Sequence, residues 1–169
     1  PNEPTQWADS DGDGYGDNLA GVNPDACPSQ NGNSTQGNRL GCPDDDGDGW
    51  DNVIDQLPAT DTQWSDQDGD GYGDNATGIE ADSCPGVAGT SHIDRFGCLD
   101  DDGDGISNEN DAFPNDPTKS ADTDGDGVDD SVDNCIFVAG NSTQDRTGCP
   151  DTDGAVSYTH LRAHETCGH

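Results

Sequence analysis

Aspartates recur at alternate positions along this chain. The pattern Asp-x-Asp-Gly-Asp-Gly starts at Asp9, Asp44, Asp66, Asp100 and Asp122, and opens once more at Asp151. Three carboxylates two residues apart, followed by a glycine that permits a sharp turn, bring anionic oxygens around one point. The residue after that glycine can add its backbone carbonyl. Such an all-oxygen set suits a hard divalent cation. Ca2+ takes six to eight oxygens at about 2.3–2.6 Å, whereas Mg2+ demands near-octahedral geometry and keeps its waters. The expected ion is therefore Ca2+, one or more per loop.

Loop five, residues 122–133, carries the fullest ligand set. Asp122, Asp124 and Asp126 stand at positions 1, 3 and 5, the Val128 carbonyl at 7, Asp130 at 9 and Asp133 at 12. Loop two (44–55) offers Asp44, Asp46, Asp48, the Trp50 carbonyl, Asn52 and Asp55. Loop four (100–111) offers Asp100, Asp102, Asp104, the Ile106 carbonyl, Asn108 and Asp111. Loop one (9–20) begins with Asp9, Asp11, Asp13, the Tyr15 carbonyl and Asp17, and loop three (66–77) with Asp66, Asp68, Asp70, the Tyr72 carbonyl and Asp74. Their twelfth residues, Ala20 and Thr77, cannot supply a carboxylate, so Asp25 and Asp82, at equivalent places before a cysteine, are the candidates for the last ligand. A solvated acidic linker would have no reason to keep glycine at position 6 of all five loops.

The elements that position these loops cannot be those of an ordinary globular domain. Only 27% of the 169 residues are hydrophobic, and the formal net charge is -32. That composition cannot build a single core able to offset the entropy of ordering the chain. Gly, Pro, Asn, Asp and Ser interrupt every window that might show helical or strand periodicity. The expected fold has little regular secondary structure: turns, with at most single helical turns after some loops. It is an elongated tandem array ordered by calcium ions and disulfides. Loop starts are separated alternately by long and short intervals, 35, 22, 34, 22 and 29 residues, so the true repeat is a pair of loops. Pro1–Trp7 matches the segment before loop three with its first residue missing, so the chain is expected to begin in mid-repeat.

Six cysteines follow the same beat: Cys27 and Cys42, Cys84 and Cys98, Cys135 and Cys149. Each pair brackets a Gly/Ser/Thr-rich insert, and closing a ~15-residue loop contributes about 3 kcal/mol in the chain-entropy model. Local pairing in that order is expected, with pairing between units (Cys42 to Cys84, Cys98 to Cys135) as the alternative. No Cys-x2-Cys spacing points to zinc, and disulfides imply an oxidising, extracellular setting. Trp7 and Trp64 precede loops, while Tyr15, Trp50 and Tyr72 occupy position 7, where only the carbonyl is used; their rings read as packing staples. Asn33, Asn75 and Asn141 lie in Asn-x-Ser/Thr sequons, a weak signal in so polar a chain.

The run Asp122-Thr-Asp-Gly-Asp-Gly-Val-Asp-Asp-Ser-Val-Asp-Asn-Cys135 resembles the thrombospondin type 3 repeat, and the Thr-Gln-Trp and Gly-Cys-Pro-Asp segments resemble its divergent microbial forms. The resemblance covers about residues 1–154, the truncated sixth loop included, and departs from the family in its long inserts, such as Ala20–Pro43. It implies an extended array whose chain wraps a file of Ca2+ ions, in secreted or cell-surface proteins. EF-hand sensors need flanking amphipathic helices and a Met-rich groove. Pro58 and Gly21 fall where such helices would exit, and dockerin-like modules lack support for the same reason.

Residues 155–169 break the pattern. His160, His164, Cys167 and His169 imitate a zinc site, but Ala155–Thr166 resembles, residue for residue, the translation of a sequencing-library adapter. The segment is read as a non-native tail. Elsewhere no nucleophile motif or phosphate-cradling loop occurs, and no enzyme activity is expected. The acidic surface disfavours nucleic acid and anionic membranes, and no apolar run reaches the ~20 residues of a membrane span. The expected function is a calcium-binding structural or adhesion spacer of a larger extracellular protein, secreted or on the cell surface, with protein or glycan partners. The alternatives are an acidic calcium-buffering or mineral-binding surface, or an accessory region tethered to an enzyme domain.

Overall fold

The computed structural model describes residues 4–143 and 146–151. The histidine-rich tail and the sixth loop beyond Asp151 lie outside them. No helix or strand forms among the described residues; the backbone is turns and bends, with one isolated parallel bridge between Gly16 and Pro24. Two single helical turns form, not after the loops as expected but within the last residues of loops two and five, where Asp55 N–H donates to Asp51 O at 3.0 Å and Asp133 N–H to Asp129 O at 2.9 Å. With no ladders to satisfy them, backbone groups are paired by side chains and turns instead.

Burial is inverted relative to a globular domain. Among the described residues the buried hydrophobic side chains are Cys42, Cys98 and Cys149, while the buried polar ones include Gln6, Asp25, Ser34, Asp51, Gln63, Asp82 and Asp133. The sulfurs are joined locally, Cys27–Cys42, Cys84–Cys98 and Cys135–Cys149. Behind the first two bridges a buried serine stitches the hairpin. Ser34 Oγ donates to Arg39 O and accepts Cys42 N–H at 2.9 Å, and Ser91 repeats this with Arg95 O and Cys98 N–H at 3.0 Å.

Glutamine does similar work before loops one and three. Gln63 is 1% exposed; its Nε2 donates to Asn75 O at 3.1 Å and Ile79 O at 3.2 Å, and its Oε1 accepts Asn75 N–H at 2.9 Å. Gln6 holds Asn18 and Val22 in the same way. Trp50 and Trp64 stack with centroids 6.2 Å apart, and Tyr72 tilts onto Phe96 at 5.6 Å, so these rings pack on one another. Trp7 differs from its counterpart Trp64 and stays 77% exposed.

Backbone contacts divide the chain into two compact units, Pro1–Asn108 and Glu109–His169. The first holds loops one to three and most of loop four. The second holds loop five and Asp111, the twelfth residue of loop four.

Candidate metal centres

Each loop is shaped by hydrogen bonds from its own glycines. Asp9 Oδ1 accepts Gly12 N–H at 2.8 Å and its Oδ2 accepts Gly14 N–H at 3.2 Å; Gly125 and Gly127 give Asp122 the same two bonds, both at 2.8 Å. Asp44, Asp66 and Asp100 are held identically. The position-1 carboxylate therefore folds the loop around itself. That path demands positive φ at positions 4 and 6, for example 83° at Gly12 and 99° at Gly14, a region costly for any residue with a Cβ. Sequence reasoning explained only the glycine at position 6. The one at position 4 was visible in the motif and has the same cause.

The outcome is a cluster of three carboxylates in each loop. One oxygen each from Asp9, Asp11 and Asp13 lie within 4.8 Å of one another, as do those of Asp44/Asp46/Asp48, Asp66/Asp68/Asp70, Asp100/Asp102/Asp104 and Asp122/Asp124/Asp126. Position-5 Oδ1 is aimed by the N–H of position 7, at 2.7–2.9 Å in all five loops. No hydrogen bond among the described residues ends on the position-7 carbonyls of Tyr15, Trp50, Tyr72 or Val128.

A fourth carboxylate joins loops one, two, three and five, and Asp111 has the same local geometry. Asp25, Asp55, Asp82, Asp111 and Asp133 are each at most 8% exposed, and the Oδ1 of each accepts the N–H two residues on at 2.6–2.7 Å. Asp25 and Asp82 thus have the setting that position 12 gives Asp55 and Asp133, although they lie sixteen residues after Asp9 and Asp66. A Cβ on Gly41 would sit 2.8 Å from both Asp13 Oδ2 and Asp25 Oδ1, so the two carboxylates flank one glycine. Burial raises the Asp25 carboxyl above its ordinary range, and the nearby Asp13, Asp11 and Asp17 raise it further. Burial does the same for Asp82, reinforced by Asp70, Asp68 and Asp74, and for Asp55, reinforced by Asp48, Asp46 and Asp44.

Position 9 is used differently. Both carboxylate oxygens of Asp17 accept from Ser10, and both of Asp130 from Thr123. The Asn52 and Asn108 carbonyls accept the Asp45 and Asp101 N–H groups, both at 2.9 Å. These side chains close the back of the loop. Asp74 alone keeps a buried oxygen, Oδ1, without a donor, its Oδ2 being bonded to Ser65.

The remaining orphans concentrate on the cluster side. Buried carboxylate oxygens without a donor belong to Asp11 and Asp25, to Asp46 and Asp48, to Asp68, Asp74 and Asp82, to Asp102, and to Asp124 and Asp133, so every loop has at least one. Buried anionic oxygens that find no donor are costly, and several converging on one point are costlier still. A cation satisfies both demands. The residues present fit a metal ion bound through oxygen, with Asp at positions 1, 3 and 5 and the fourth carboxylate as ligands. Neither family models nor the curated proteins give a match to this chain.

Proposed function

We propose that the chain is a calcium-organised structural or adhesion segment of a larger secreted or cell-surface protein, a divergent array of thrombospondin type 3 kind. The observation that carries the reading is the set of buried, donor-less carboxylate oxygens in all five loops, each beside a triplet of aspartates. All-carboxylate and carbonyl ligation favours a hard cation, and the flexible loop geometry favours Ca2+ over Mg2+.

When bound, the ion supplies the positive charge that lets these carboxylates share a small volume without a hydrophobic core. The chain's own residues do the rest. Glycine N–H groups orient position 1, the N–H of position 7 orients position 5, and position 9 ties the loop shut. Three disulfides hold the inserts, which fits an oxidising compartment. No helix among the described residues is long and apolar enough to cross a membrane. The array is a non-catalytic spacer, with extracellular protein or glycan partners.

Circular dichroism and small-angle scattering, with calcium and with excess chelator, test this reading. Calcium should order and compact the chain, and chelation should expand it. A scattering curve that stays compact and unchanged in chelator rejects it.

A further inference from the structure

The three disulfides belong to loops one, three and five: the first cysteine of each bridge bonds one carboxylate of that loop, and a glycine packed against the second cysteine bonds another. At the first cysteine, Cys27, Cys84 and Cys135 donate their N–H groups to Asp25, Asp82 and Asp133 at 2.6–2.7 Å. At the second, the insert backbone reaches position 5. Gly32 N–H donates to Asp13 Oδ2 at 3.3 Å, and Gly89 and Gly140 donate to Asp70 and Asp126 Oδ2, both at 2.9 Å. Those glycines lie so close to the second cysteine that an added Cβ would fall 1.9–2.0 Å from the carbonyl carbon of Cys42, Cys98 or Cys149. Loops two and four are built otherwise. Among the described residues their carboxylates at positions 1, 3 and 5 accept only from their own loops, and the inserts reach them at the Gly49 and Gly105 carbonyls and at position 8, where Arg39 pairs with Asp51 and Asp94 accepts from Ser107.

We propose that disulfide and cation site are reciprocally coupled in loops one, three and five, so that opening a bridge releases the cation from its own loop and leaves loops two and four loaded. The proposal rests on the cation reading above.

The bridges are arranged to resist exchange while the hairpin is closed. Cys42, Cys98 and Cys149 are buried, whereas their partners are partly exposed. Arg39, Arg95 and Arg146 donate to the partly exposed sulfurs of Cys27, Cys84 and Cys135 at 3.7, 3.6 and 3.3 Å. Three of the chain's five basic residues touch these sulfurs, and Arg39 also pairs through Nε with Asp51 of loop two at 2.5 Å. A guanidinium stabilises a thiolate, so the favoured leaving sulfur is the first cysteine's, and expelling it requires attack on the buried second one. Attack on the accessible sulfur expels a buried thiolate with no such guanidinium contact. Exchange therefore needs the hairpin to lift, which breaks the glycine contacts to position 5.

In the step itself, a dithiol thiolate attacks one bridge sulfur and displaces the other as a thiolate, forming a mixed disulfide. The reagent's second thiol then displaces the protein sulfur. The dithiol is oxidised to a cyclic disulfide, and its two electrons and two protons end on the two cysteines. By linkage, any factor by which reduction weakens the cation is the factor by which the cation disfavours reduction.

The test is reduction of the intact chain by dithiothreitol, followed by alkylation and mass spectrometry, in calcium or in chelator at matched ionic strength. At equilibrium with reduced and oxidised dithiothreitol, calcium should lower the reduced-to-oxidised ratio of all three bridges on the order of tenfold. Calorimetry on the Cys27→Ser, Cys42→Ser double variant should show loop one's cation lost and the others kept. A reduced-to-oxidised ratio indifferent to calcium in a chain that binds it overturns the coupling alone. An oxidised chain that binds no calcium overturns the cation reading itself.

Discussion

Asp25 Oδ1 accepts the N–H of Cys27 at 2.7 Å, while its Oδ2, on a side chain with no exposed surface, meets no donor. One oxygen is spent on shaping the chain and the other is left for a ligand. Asp25→Asn keeps an acceptor for Cys27 and removes the charge. It should lower calcium affinity at loop one by about tenfold or more, within the range that disturbing a metal's supporting ligands produces. Asp45→Asn, on the exposed back of loop two, is the charge-matched control and should change little. Calorimetry decides, and equal losses would mean that bulk charge rather than a defined site holds the ion.

Gly14 and Gly127 have φ of 99° and 90°, and an added Cβ at either would meet nothing within 4 Å. Alanine there adds no clash and changes only backbone freedom. Each substitution should cost about 1–2 kcal/mol, from the left-handed penalty. Thermal unfolding in saturating calcium measures it. A neutral result would show that the loop can close by another path.

Gln63→Leu removes two donors and one acceptor from a side chain that is 1% exposed, and orphans the Asn75 and Ile79 backbone groups. The expected loss is about 2–3 kcal/mol, read from the unfolding midpoint. An unchanged midpoint would mean that water or another side chain replaces the glutamine.

Asp25, Asp48, Asp55, Asp82 and Asp124 are all raised, first by burial and then by neighbouring carboxylates. A raised carboxyl contributes stability below its unfolded pKa and loses it as pH rises through the folded one. Asp116, lowered by Lys119, and Asp129, lowered by Ser131, act the opposite way but are fewer. In chelator, stability should therefore fall as pH rises through and above the ordinary carboxylate range. In calcium the order should reverse, because protons compete with the cation for the same oxygens. Unfolding midpoints against pH in both buffers check this, and parallel curves would contradict it.

What the amino-acid sequence determined alone is what short stretches of backbone can enforce. Asp122, Asp124 and Asp126 converge because glycines at positions 4 and 6 let five residues curl onto one carboxylate, and no distant contact is required. The lack of a core was equally legible, since so few apolar side chains leave cysteines as the buried hydrophobic residues. Local bridging was one of two readings until the hairpins were seen. The tertiary structure decided what depends on the path of the inserts. Asp17 and Asp130, which fit position 9 by spacing, have both oxygens bonded to Ser10 and Thr123 at position 2 of their loops. Asp25 and Asp82 reach their loops only after five extra residues have been folded around Gln6 and Gln63. The N–H groups of Gly32, Gly89 and Gly140 reach a carboxylate fourteen to nineteen residues earlier. Spacing specifies contacts that the covalent chain makes unavoidable. Contacts across an insert depend on where a bridge, a buried serine and a buried glutamine hold the backbone, and no local pattern carries that information.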